Sequence, residues 1–276
     1  MKTYVLYHGG CFDGFCAAWV ARSVLKGEVE YIPVHYGQPP PAIEAGSRVY
    51  ILDFCYPRED IRRMNSEAQN FVVLDHHETA QKELEGFVDE CRLHGLPDPK
   101  IVFDMKKSGG RLAWEHFYGS SGMPSPGLVD YTEDRDLWRW ALPGSRSVNA
   151  CLRSYPLDFK QWDKWGKLSG LGICELMAEP GEAILRSEQQ IVDRHVKNAV
   201  EVEMDGYKIL AVNATVLISE IAGELAKGRP FGTCYFIRGD GKKIWSLRSS
   251  DEGADVSEIA KRHGGGGHRN AAGFQE

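Results

Sequence analysis

Along the first hundred residues, short apolar runs rich in β-branched side chains alternate with longer stretches whose apolar positions recur at helical spacing. Residues 3–7, 29–34, 48–52, 71–74 and 100–104 read as strands. Residues 15–25 and 57–68 read as helices between them; in the second, Pro57 suits the first helical position and Ile61, Met64 and Ala68 share a face. Repetition of strand and helix predicts an α/β domain with a mainly parallel sheet and helices on both faces. Ser108 is placed to cap a helix over 112–118, residues 119–127 read as a loop, and the acidic stretch 130–136 reads as a turn held to the core by Leu128, Val129, Leu137, Trp138 and Trp140. Trp162 and Trp165 read as packing residues. Ile184, Leu185, Ile191, Val192 and Val196 predict a long amphipathic helix over 175–200.

Beyond residue 200 the pattern changes. Residues 200–204 and 207–212 predict a hairpin around Asp205-Gly206, a second hairpin turns at Gly239-Asp240-Gly241, and Asp255 to Glu258 has the spacing of a capping box. The expected domains are therefore 1–174, a helical linker 175–199, and a smaller α+β domain 200–276.

The 276 residues suffice for two such cores, and the net charge of -6 disfavours a broad groove for long nucleic acid. Seven cysteines at scattered spacings, without a CxxC pair, fit a reducing compartment. The N-terminus lacks the pattern of a secretory signal and no stretch is apolar enough to span a bilayer, so the expected location is cytoplasmic.

Candidate chemistry gathers where the strands end. His8 and Asp13 follow the first, Asp53 the third, and Asp75-His76-His77 the fourth. Singly, each reads equally as a turn residue, a satisfied histidine or a helix cap. Together they lie at the carboxyl ends of neighbouring parallel strands, where open α/β sheets bind ligands. At the other end of the chain, Gly264-Gly265-Gly266-Gly267-His268-Arg269 is either a flexible tail or an anion cradle built from glycine N–H groups.

With these pieces the chain resembles the DHH phosphoesterase superfamily. The matching residues are His8 with Asp13-Gly14 and Ala17-Ala18, Asp53, Asp75-His76-His77, Asp134 in Glu133-Asp134-Arg135-Asp136-Leu137-Trp138, and Gly265-Gly266-Gly267-His268 with Ala271-Ala272-Gly273. The resemblance implies a Rossmann-like N-terminal domain holding two divalent cations, usually Mn2+, and a C-terminal domain that recognises substrate across a cleft. It implies His8, Asp13, Asp53, His76 and Asp134 as metal ligands, with Asp53 as the bridge. His77 would face the phosphate and Asp75 would support the site, the two together forming the catalytic pair. Arg111, Arg248, Gly265, Gly266, Gly267, His268 and Arg269 are the expected substrate-binding residues.

The chain departs from the pattern at Cys11, where many members carry a further aspartate. Cys11 could ligate, although thiolates are poor partners for manganese, or water could fill the place. The expected activity is metal-assisted hydrolysis of short single-stranded RNA or DNA, or of linear dinucleotides, to mononucleotides. The alternatives are a cyclic dinucleotide phosphodiesterase, a pyrophosphatase and a non-catalytic nucleotide-binding protein. No membrane partner is expected, and a homodimer is left open.

Overall fold

Residues 1–119 and 121–276 are described by a computed structural model, in which the chain divides into two units, Met1–Ile184 and Leu185–Glu276. The loop expected over 119–127 includes residue 120, which lies outside the described residues. In the first unit β1 (Thr3–His8), α1 (Phe12–Val24), β2 (Val29–Val34), β3 (Arg48–Leu52), α2 (Arg58–Glu67), β4 (Asn70–Asp75), α3 (Glu78–Glu83), α4 (Phe87–Leu93) and β5 (Lys100–Phe103) follow one another. The strands form one sheet in the order β2-β1-β3-β4-β5, and every pair in it is parallel.

The near-continuous apolar runs arise because this sheet is buried on both faces. Alternate residues supply two separate cores. Val5, Tyr7, Tyr50, Leu52, Val72 and Leu74 pack with α1 on one face, whereas Tyr4, Leu6, Val49, Ile51, Phe71 and Val73 pack against Ile61, Met64 and Phe87 on the other. Register then fixes the level of the strand ends: Tyr7 pairs with Leu52, and Leu52 with Leu74. His8, Asp53 and Asp75 therefore leave the sheet side by side, and Asp53 N–H extends the ladder to Leu74 O at 2.8 Å.

The remaining helices of this unit are α5 (Gly109–Tyr118), α6 (Gly127–Asp136), α7 (Ser145–Arg153), α8 (Phe159–Trp165) and the start of α9 (Gly170–Lys197). The Ser108 side chain accepts from Arg111 N–H, capping α5 as the sequence predicts. Two expectations are corrected. The first helix starts at Phe12 rather than at residue 15, so Asp13 lies inside its first turn. The acidic stretch is helix α6, not a turn: Leu128, Val129, Tyr131 and Thr132 are buried, and its charges find partners in the fold. Trp162 is 1% exposed among Phe15 and Trp19, which makes it core.

The division between the units falls inside α9, a 28-residue helix with Pro180 in it. The second unit holds β6 (Val200–Met204), β7 (Tyr207–Asn213), α10 (Ile218–Leu225), β8 (Gly232–Ile237), β9 (Lys243–Arg248), α11 (Val256–Arg262), β10 (Gly266–His268) and β11 (Ala271–Gln275). Its sheet runs β10-β11-β9-β8-β7-β6, parallel only between β7 and β8. Asp205 and Gly206 both have positive φ, 51° and 82°, as a two-residue hairpin turn requires. Asp255 caps α11 through Ser257 and Glu258 N–H. Among the described residues no helix is long and apolar enough to cross a membrane.

Candidate metal centre

Asp53 is the hub of the strand-end cluster. It is 1% exposed and held at φ 55°, a left-handed conformation uncommon for a residue other than glycine. Its Oδ1 lies 3.1 Å from His76 Nε2 and its Oδ2 3.5 Å from His8 Nδ1. None of Asp53 Oδ1, Asp53 Oδ2 and His8 Nδ1 has a hydrogen bond of good geometry among the described residues, although all three are buried. Buried polar atoms are nearly always satisfied, so atoms that converge yet do not bond suit a cation between them.

His76 Nε2 also lies 3.7 Å from Asp13 Oδ2 and 3.5 Å from Asp136 Oδ2. The donor atoms thus fall into groups that fit a dication: His8, Cys11 and Asp53; Asp53, His76 and His77; and Asp13, His76 and Asp136, with the atoms of each group within 4.8 Å of one another. Asp75 braces the turn. Its Oδ1 accepts from His76 N–H at 2.7 Å and lies 2.6 Å from His77 Nδ1, which orients that ring.

The electrostatics match such a site. Burial works against the charge on Asp53, but the imidazoles of His76 and His8 hold its carboxyl well below the usual range. Burial would lower the His76 pKa, and Asp53, Asp13 and Asp136 overcome it, pushing the group up to about 10. Burial and the neighbouring carboxylates push Asp13 and Asp136 upward. Crowded carboxylates of this kind retain protons unless a cation replaces them.

Three contributors were not legible in the sequence. Asp136, rather than the expected Asp134, is the α6 carboxylate that lies 3.5 Å from His76 Nε2. Asp134 is a fold residue: its carboxylate accepts from Ala141 N–H at 3.0 Å, from Leu142 N–H at 3.3 Å and from the Ser145 hydroxyl. Positions i and i+2 of a helix face different directions, and only a helical reading of α6 would have separated the two. Next, Gly109 and Gly110 at the start of α5 both donate N–H to Asp13, and a Cβ on Gly109 would lie 2.5 Å from Asp53 Cβ. Ser-Gly-Gly before a helix was the available signal. Finally, Tyr36, just past β2, is 55% exposed, with its ring centroid 4.5 Å from Phe54, 5.4 Å from His8 and 6.4 Å from His77.

The Arg111 guanidinium, expected at the substrate, donates to Glu133 at 3.0 Å, Ser125 at 2.8 Å and Asp130 at 2.6 Å and so ties α5 to α6.

Residues 207–275 match the DHHA1 domain family. Over 294 aligned residues the chain is 28% identical to the uncharacterized protein R106 of Acanthamoeba polyphaga mimivirus, covering 98% of this chain and 66% of that protein. Over 244 residues it is 33% identical to oligoribonuclease NrnB of Bacillus subtilis (strain 168), covering 82% of this chain and 58% of NrnB. These matches support a member of the DHH phosphoesterase superfamily. It spans 66% and 58% of the lengths of those two relatives. Two solved DHH-type structures share its fold. The pGpG-specific phosphodiesterase PggH from Vibrio cholerae has a TM-score of 0.53 at 15% identity, covering 100% of this chain and 93% of PggH. RecJ with Mn2+ from Thermus thermophilus has a TM-score of 0.52 at 14% identity, covering 99% of this chain and 49% of RecJ.

Within the DHHA1 portion the glycine run is ordered, not a flexible tail. Gly266, Gly267 and His268 form β10 against Gly273, Ala272 and Ala271 of β11. A Cβ on Gly267, whose φ is 144°, would lie 2.5 Å from Ala271 O, so close strand packing is one reason for glycine there. The Gly265 N–H donates to Ala260 O at 2.8 Å, which removes it from any anion cradle. Arg269 reaches the carbonyls of Asp251 and Gly253 and braces that loop. Arg248 donates to Ser219 and Leu247 O, and burial lowers its pKa.

Proposed function

We propose that this DHH protein hydrolyses the phosphodiester bonds of short oligonucleotides or linear dinucleotides to mononucleotides, with two divalent cations held by His8, Asp13, Asp53, His76 and Asp136. The observation that carries the reading is Asp53, whose two buried oxygens face different histidines without a hydrogen bond of good geometry to either. Mixed carboxylate and imidazole donors suit Mn2+ at the Asp13, His76 and Asp136 group. Bound there, such cations supply Lewis acidity toward the phosphoryl oxygens and lower the pKa of water.

The chain's own residues do the rest. Asp53 directs one carboxylate oxygen toward His8 and the other toward His76. His77, oriented through Nδ1 by Asp75, holds a donor toward a phosphoryl oxygen, and its pKa lies above the ordinary imidazole value: burial lowers it, but the Asp75 contact outweighs that. Tyr36 rests on Phe54 and presents an aromatic surface beside His8 and His77, where a base or ribose next to the scissile phosphate can lie. Within the second unit, taken by itself, Arg248, Gly266, Gly267 and His268 are the proposed nucleotide-binding residues.

The kinship with oligoribonuclease NrnB supports a short RNA substrate. Turnover with Mn2+ should be measured over dinucleotides and longer short oligomers of RNA and DNA, cyclic dinucleotides and pyrophosphate. The reading expects mononucleotides from the linear substrates. Turnover of cyclic dinucleotides or pyrophosphate alone would replace it by those activities, and nucleotide binding without turnover would make the chain a binding protein.

A further inference from the structure

Two of the three donor groups in the strand-end cluster differ in chemistry. Asp13, His76 and Asp136 offer two carboxylates and an imidazole; His8, Cys11 and Asp53 offer an imidazole, a thiol and a carboxylate. The second group is a built site. Asp53 is 1% exposed, its two oxygens and His8 Nδ1 lack hydrogen-bond partners among the described residues, and Cys11 Sγ lies within 4.8 Å of donor atoms of both. Cys11 itself is the N-cap residue of α1 and makes no side-chain capping bond, so helix α1 does not hold the thiol.

We propose that His8, Cys11 and Asp53 form a thiolate-containing cation position that selects a borderline dication of the iron(II), cobalt(II) and zinc(II) class, beside a harder position at Asp13, His76 and Asp136. This rests on the two-cation reading above. Sulfur and imidazole donors favour such ions over manganese, whereas carboxylate-rich sets accept manganese readily. On ligation the thiol proton passes to solvent, leaving a sulfur–metal bond. No oxidant or reductant is involved. The pair is thus chemically unequal, and manganese alone would fill it unevenly.

Cobalt(II) is the probe that tests this, because a thiolate ligand gives it a sulfur-to-metal charge-transfer absorption in the near ultraviolet. Binding stoichiometry and the spectrum should be recorded for the full chain, Cys11→Ser and Cys11→Asp, with circular dichroism as the check on folding. The expected result is two cobalt ions in the wild type with the charge-transfer band. The band should vanish in both variants, while Cys11→Asp keeps two ions and gains at least tenfold in manganese affinity at the second position. Two bound ions without the band would overturn the thiolate ligand and leave the two-cation reading standing. Failure to bind cobalt at all would overturn both.

Discussion

Asp134 and Asp136 stand two residues apart in α6, and the fold gives them opposite tasks. Asp134 satisfies the N–H groups of Ala141 and Leu142 and the hydroxyl of Ser145, whereas Asp136 approaches His76. Asp134→Asn should therefore lower stability by about 1–3 kcal/mol, the cost of disturbing buried charge-assisted bonds. A lower denaturant midpoint with manganese affinity retained in the folded protein is the expected pattern. Asp136→Asn should do the reverse, leaving the midpoint near wild type and weakening manganese binding at least tenfold in a calorimetric titration. Equal effects of both on binding would contradict the assignment. Tyr36 belongs to the same scale. Stacking of one base contributes about 1–3 kcal/mol, so Tyr36→Ala should raise KM for a dinucleotide tenfold or more, and Tyr36→Phe should leave it near wild type. The convergence of His8, Asp53 and the Asp75-His76-His77 triplet was legible because each follows an apolar run, and that of Asp13 because it comes soon after His8, where the chain turns into α1. Asp136 and Tyr36 were not, because their roles depend on a helix not foreseen and on a ring contact made across two strand ends.

At the scale of elements, the strands of the first sheet and both hairpins of the second unit were legible from apolar runs and turn residues. The helices were less so. In the sequence α6 reads as a turn because Asp130, Glu133, Asp134 and Asp136 resemble a solvated segment, and only the pairing of Asp130 and Glu133 with Arg111 shows how the fold accommodates two of those charges. The close approach of α5 to the site was also hidden, since a glycine pair reads as flexibility until the neighbouring atoms are known. Gly109→Ala places a Cβ 2.5 Å from Asp53 Cβ, so Asp53 or the helix must shift. Cation affinity should fall at least tenfold and the thermal midpoint should drop. A variant with both quantities unchanged would show that α5 does not set the position of Asp53.

For the whole molecule, a centre that binds cations only when folded must stabilise the fold. Manganese at about 100 times its dissociation constant should add about 2.7 kcal/mol per site, and chelation should remove it. Scanning calorimetry with and without chelator is the check, and a transition indifferent to manganese would argue against a preformed centre. The proposed activity is tested most directly by turnover of a linear dinucleotide with manganese, in the wild type and in His76→Ala. The account predicts two mononucleotides per substrate from the wild type and a loss of orders of magnitude in the variant, with unchanged circular dichroism. Undiminished turnover in His76→Ala, or no turnover by the manganese-loaded wild type, would contradict it.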